Sequence, residues 1–136
     1  MKRSLSVIAG VIVGIILVFI GDSTTRALNP PPVGINFMDK NVMNQYISTI
    51  PTYIFIIMVL FWLFSSFIGG MLAARLNRVE WRVSALITGS ILMVAAILNL
   101  VMISHPVWMW IAVLAGYIPA ALLGGMLGRA KPAPHD

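Results

Sequence analysis

The stretch Tyr53–Leu72, YIFIIMVLFWLFSSFIGGML, decides the fold. It contains no Lys, Arg, Asp, Glu or His. At about 1.5 Å per residue it is long enough to cross a hydrocarbon core of roughly 30 Å. Three further runs share these properties: Ser4–Gly21, Val83–Ile103 and Val107–Leu127. Backbone amides in lipid find no water to bond, so runs of this length must be helical. The sequence therefore predicts an all-α polytopic membrane protein with four transmembrane helices. Of the 136 residues 60% are hydrophobic and 10% charged, whereas a soluble domain carries about 25% charged residues. Four spans, their connections and short tails account for residues 1–136 as one transmembrane domain. The longest polar segment, residues 22–52, is too short to hold a core of its own.

Charge sets the threading. Lys2, Arg3, Arg75, Arg78, Arg82, Arg129 and Lys131 flank span ends that share one side, while the other side holds Arg26 and Lys40 beside Asp22 and Asp39. A seven-to-two bias of this kind places both termini and the Arg75–Arg82 connection in the cytoplasm, in a bacterial inner membrane. The net charge of +5 is then met by anionic lipid headgroups and not by nucleic acid, which needs a clustered basic surface on a folded element. The first span reads as an uncleaved signal-anchor helix, because Val18-Phe19-Ile20 is too bulky for a signal-peptidase site. There is no cysteine, which removes disulfides, thiolate metal sites and cysteine nucleophiles.

The outer connection divides in two. Asn29-Pro30-Pro31-Pro32 must be extended, since proline fixes φ and lacks a donor. Asp39 can then cap a short interfacial helix with Met43, Tyr46, Ile47 and Ile50 on one face, before Pro51 opens the second span. At the opposite end of the chain, residues 129–136 read as a disordered cytoplasmic tail.

An internal repeat links the second and fourth spans. Pro51-Thr52-Tyr53 and Pro106-Val107-Trp108 lie 55 positions apart, and Gly69-Gly70-Met71-Leu72 matches Gly124-Gly125-Met126-Leu127 at the same offset. The first and third spans match more loosely. The expectation is two pseudo-repeated helical hairpins about an axis along the membrane normal.

Small residues mark helix-packing faces. The fourth span carries Ala112, Gly116, Ala120, Gly124 and Gly128, the first carries Gly10 and Gly14, and the second carries Gly69 and Gly70. Small residues four apart let helix backbones approach closely, within one chain or between chains. A homo-oligomer or a membrane-protein partner is therefore expected, in addition to the lipid bilayer. Ser65, Ser66, Ser90 and Tyr117 form a candidate polar pocket for a small neutral solute. Asp22, Asn99 and His105 gather at the outer edge. One histidine and one carboxylate could titrate or exchange a proton, even with lipid as substrate, but make a poor metal site. No catalytic residue, metal or cofactor is assigned.

The segments GDSTTRALNPPP (residues 21–32), FIGGMLAARLNR (67–78), ILNLVMISHPVWMW (97–110) and YIPAALLGGMLGR (117–129) resemble small four-helix inner-membrane proteins of bacteria whose function is unknown. That resemblance implies the fold and location but carries no activity. The size is similar to small multidrug exporters, yet the glutamate their first helix needs is absent from Ser4–Gly21. It is similar also to fluoride channels, whose Phe/Thr/Asn filter pattern is not evident here. The functional expectation is a non-enzymatic assembly or scaffold subunit, with a small permease or channel for a neutral solute as the alternative.

Overall fold

The computed structural model describes residues 2–129; the tail expected at residues 129–136 lies outside them save for Arg129. Five helices follow in chain order: α1 (Lys2–Leu28), α2 (Lys40–Thr49), α3 (Thr52–Leu76), α4 (Trp81–Met102) and α5 (Val107–Gly128). No strand occurs among the described residues. All but α2 are long and apolar enough to cross a membrane. Each of the four keeps large apolar side chains outside, with Phe19 72%, Leu60 60%, Leu98 58% and Ile111 65% exposed. Such surfaces are solvated by lipid and penalised by water. The chain is a multi-pass, all-helical membrane protein.

α1 runs seven residues beyond Gly21, the end of its apolar run. The Thr24 hydroxyl donates to the Ile20 carbonyl at 2.8 Å and the Thr25 hydroxyl to that of Asp22 at 2.9 Å. These hydroxyls fold back onto the helix, so the polar turn stays helical. The Asp39 side chain caps α2, accepting from the amides of Asn41 and Val42. Pro51 and Pro106 precede α3 and α5, and their carbonyls accept the first helical bonds, from Ile54 and Met109. The extended Pro30–Pro32 tract ends in a turn at Gly34, whose φ of +80° only glycine adopts without strain.

In the bundle α3 packs along α1 and α5 and also touches α4; α4 packs on α5 and α1; α1 and α5 do not meet. The helices thus form a ring in the order α1, α3, α5, α4, with α3 and α4 in contact across it. An axis exchanging α1 with α4 and α3 with α5 would demand an α1–α5 contact equivalent to α3–α4. The expected twofold arrangement of hairpins therefore does not extend to the whole bundle. Within the α3–α5 pair Gly70 meets Ala121 and Gly124 meets Phe67, contacts related by an offset of 54 and not by the 55 of the sequence repeat.

Side-chain size is graded along the bundle. In the half away from the Arg75–Arg82 connection, Phe55, Val59, Trp62, Leu92, Leu100, Met109, Val113 and Tyr117 fill the core. In the basic half, the buried positions include Ser6, Gly10, Gly69, Gly70, Ala73, Ala74, Ser84, Ala85, Gly124, Gly125 and Gly128, with Val7, Asn77 and Thr88 the larger exceptions. Contact residues set the distance between helix axes, so backbones approach most closely at the basic end.

Candidate functional site

The small residues expected to form packing faces lie in contacts within the chain. A carbon added at Gly10 would lie 2.5 Å from the Gly69 carbonyl oxygen, and one added at Gly69 would lie 2.7 Å from that of Gly10. Carbons added at Gly70, Gly124 and Gly128 would fall on the backbone carbonyls of Ala121, Phe67 and Met71. Gly14 is seated on the Leu92 side chain and Gly116 on that of Leu63. Ala112 and Ala120 flank this row and are half-buried.

Of the candidate polar pocket, three members come together and one does not. Ser65, Ser66 and Tyr117 are buried where α3 crosses α5. The Ser66 hydroxyl donates to the Tyr117 carbonyl at 2.8 Å, and the Ser65 hydroxyl donates to the Trp62 carbonyl at 2.6 Å. Ser90 is elsewhere, on the lipid-facing side of α4 beside Leu86, Ile87, Ile91 and Val94. The reason is angular. The buried stripe of α4 is Ser84, Ala85, Thr88, Gly89, Leu92, Ala96 and Leu100, and a residue two positions past Thr88 points about 200° away from it.

At the far end, α1, α3 and the α4–α5 turn meet around Asp22. The indole N–H of Trp62 donates to the Asp22 carboxylate at 3.1 Å. His105 sits in the turn with its ring centroid 6.2 Å from those of Phe55 and Trp62. Its Nδ1 is 2.7 Å from the Ile103 carbonyl, which fixes the proton on Nδ1 when the ring is neutral. Burial pushes the imidazole below its ordinary pKa, against the opposing pull of that carbonyl and of Asp22. Asn99, expected in this cluster, accepts a backbone bond from Ile103 at the end of α4. Its side chain makes no hydrogen bond to Asp22 or His105. The cluster offers one carboxylate and one imidazole, with no hydroxyl bonded to either. Among the described residues no group of three His, Cys, Asp or Glu side chains is placed to hold a metal ion.

Trp62 was not singled out by sequence reasoning, although a signal exists. A tryptophan ten residues into a span lies outside the interfacial belt, and its N–H must find a partner. A second unanticipated network closes the basic end. Arg3 at the start of α1 pairs through two nitrogens with Glu80 in the α3–α4 connection. Its guanidinium holds the Glu80 carboxyl below the usual carboxylate range. Beneath the pair, the Asn77 amide donates to the Ser84 hydroxyl at 3.0 Å, and the Ser6 hydroxyl is 3.4 Å from the same atom. Three segments are thereby tied together at one level.

These features define a four-helix integral membrane protein with a self-satisfied polar interior. No family model matches the chain, and neither a curated protein nor a solved structure matches it.

Proposed function

We propose that the protein is a non-enzymatic membrane subunit, a packed four-helix unit that holds a second copy or a larger membrane protein in place. One observation carries this reading: every buried side-chain nitrogen and oxygen among the described residues has a hydrogen-bond partner. A solute path needs polar groups facing an opening, and here Ser65, Ser66, Thr88 and Tyr117 face their own helices or one another. The bias of cations to one end supports insertion with both termini in the cytoplasm of a bacterial inner membrane. Gly124 and Gly128 already pack within the chain, and a surface for a partner is taken to be the connection from α1 to α3. There Val33 and Met38 are 105% and 92% exposed, and Phe37 is half exposed beside Tyr46.

The test is native mass spectrometry of the chain extracted gently from its own membranes, paired with solute flux in liposomes. The expected result is a stoichiometric second copy or protein partner, released by Val33→Lys with Met38→Lys, and flux equal to that of empty liposomes. A lone monomer would overturn the proposal. So would flux of a neutral solute such as glycerol that Ser66→Val abolishes, which would establish the permease instead.

A further inference from the structure

α1 and α4 start together at the basic end and run in the same direction. Ser6 stands against Ser84, Gly10 against Thr88 and Gly14 against Leu92, so the two helices hold one register, with partners 78 positions apart. The seam between them is open along one margin. Arg3, Ser4, Val7 and Ile8 of α1 and Ile87 of α4 border a space of about 260 Å³. Ile87 also borders a space of about 390 Å³, lined further by Leu86, Ser90, Ile91 and Val94. The two spaces adjoin at Ile87 and follow one another along α4, and the small Ser90 makes room in the deeper one. The register sets Arg3 level with Trp81, and from there to Val94 α4 rises about 20 Å. Half of a bilayer of about 40–45 Å, headgroups included, has nearly the same depth.

The mouth of this groove carries both signs of charge. The Arg3 Nε donates to one carboxylate oxygen of Glu80 at 2.8 Å, and Nη2 donates to the other. A guanidinium has five N–H donors, so three stay free for a ligand at the groove that Arg3 itself borders. The Arg3 and Glu80 side chains are 49% and 41% exposed, which leaves access to both. Glu80 holds the guanidinium in place, and the remaining donors match phosphate oxygens. The pair is neutral as a whole, however, and a phosphate on Arg3 brings a second anion beside Glu80. A ligand with an ammonium next to its phosphate turns that repulsion into a further charge-assisted hydrogen bond. Arg82, which the register puts level with Ser4, does not supply that balance: it lies on the Trp81 ring, 5.2 Å from the centroid, and that ring packs against Gly125 of α5.

We propose that the seam between α1 and α4 binds one phosphatidylethanolamine from the leaflet on the basic side. Its phosphate accepts from Arg3, its ammonium donates to Glu80, and one acyl chain descends past Ile87 and Ser90 to Val94. Phosphatidylcholine carries the same charges but has no N–H to donate, and phosphatidylglycerol has the phosphate without the cation. The inference depends on membrane insertion alone and not on the subunit role, so either can fail without the other.

The experiment offers the detergent-solubilised full chain equal amounts of phosphatidylethanolamine, phosphatidylcholine and phosphatidylglycerol and reads bound lipid by native mass spectrometry. Salt at about 0.15 M screens the diffuse pull of the basic end beyond about 8 Å. One phosphatidylethanolamine per chain is retained, at least about tenfold over either competitor. Glu80→Gln removes the partner of the ammonium and frees the Arg3 charge, so the preference passes to phosphatidylglycerol, a reversal that mere loosening of the helix ends does not produce. Ser90→Leu fills the deeper part of the groove without touching a charge and weakens retention of all three lipids. Arg82→Gln removes a charge at the same level and leaves the preference unchanged. Equal retention of phosphatidylcholine or phosphatidylglycerol by the parent overturns the site. So does an unchanged preference in Glu80→Gln, a lost preference in Arg82→Gln, or full retention in Ser90→Leu. Displacement of the lipid by millimolar glycerophosphoethanolamine, which lacks acyl chains, would assign the pair to a free headgroup and overturn it as well.

Discussion

Replacing Gly124 by alanine tests whether backbone contact holds the bundle together. The added carbon falls on the Phe67 carbonyl and lies 2.7 Å from the carbonyl carbon and 3.1 Å from Cα. Carbon atoms settle at about 3.5–4.0 Å, so α3 and α5 must part by roughly 1 Å, because no backbone atom can rotate away. Parting also loosens the Ser66–Tyr117 hydrogen bond one turn along. Overpacking of this kind costs about 1–3 kcal/mol, and an interhelical hydrogen bond adds about 0.6 kcal/mol. Relief of the glycine's helix penalty offsets about 0.5–1 kcal/mol. The net is about 2 kcal/mol, roughly a thirtyfold shift toward the unfolded state. Gly14→Ala is the control. Its added carbon meets the ends of the Leu92 side chain at 2.5 and 2.9 Å, which a rotamer change can move, and the same helix gain leaves a net effect below about 1 kcal/mol. Both variants are compared with the parent by reversible SDS unfolding in mixed micelles, followed by circular dichroism. If Gly124→Ala is as stable as the parent, or Gly14→Ala is the more damaging, the close backbone approach is refuted.

Trp62→Phe removes the donor to Asp22 and should destabilise the fold by about 1.5–3 kcal/mol; Asp22→Asn in that background should recover part of the loss, and an equal or larger loss in the double variant would disprove the pairing. Ser66→Ala should cost only about 0.6 kcal/mol in the same unfolding assay, and a loss several times larger would mean the hydroxyl does more than join α3 to α5. His105 has a folded pKa below its ordinary value. Between the two values the unfolded chain binds a proton that the folded chain refuses, so stability is full above about pH 6.5 and falls as pH drops through that window. Unfolding midpoints at about pH 7.5 and about pH 5.5 should differ in the parent and much less in His105→Gln; equal slopes in the two would remove His105 as the cause.

The spans were legible because lipid imposes one rule along a helix, and a run such as Tyr53–Leu72 can satisfy it in only one way. Rotation about the helix axis was far less legible. Core and lipid are both apolar, so hydropathy does not say which side of a span faces inward. Ser90 shows the result: grouped with Ser65 and Ser66 from the sequence, it lies off the buried stripe of its own helix. Glycines carry the missing signal, since Gly10, Gly69 and Gly124 each mark a face where a neighbouring backbone passes. The end of α1 was misjudged because hydropathy reports where lipid stops and not where hydrogen bonding stops, as Thr24 and Thr25 illustrate. The Arg3–Glu80 pair joins residues 77 positions apart in sequence, and composition records such an arginine only as part of a basic flank.

The gradient in side-chain size makes the two ends of the bundle mechanically unlike. At the basic end, Gly10 against Gly69 and Gly124 against Phe67 are contacts between main chains, which have no rotamers to exchange. At the far end, Trp62, Phe55, Met109 and Tyr117 can be redistributed among χ angles at modest cost. Repacking is therefore open to the far end and closed to the basic end, where any change of helix spacing has to move a main chain.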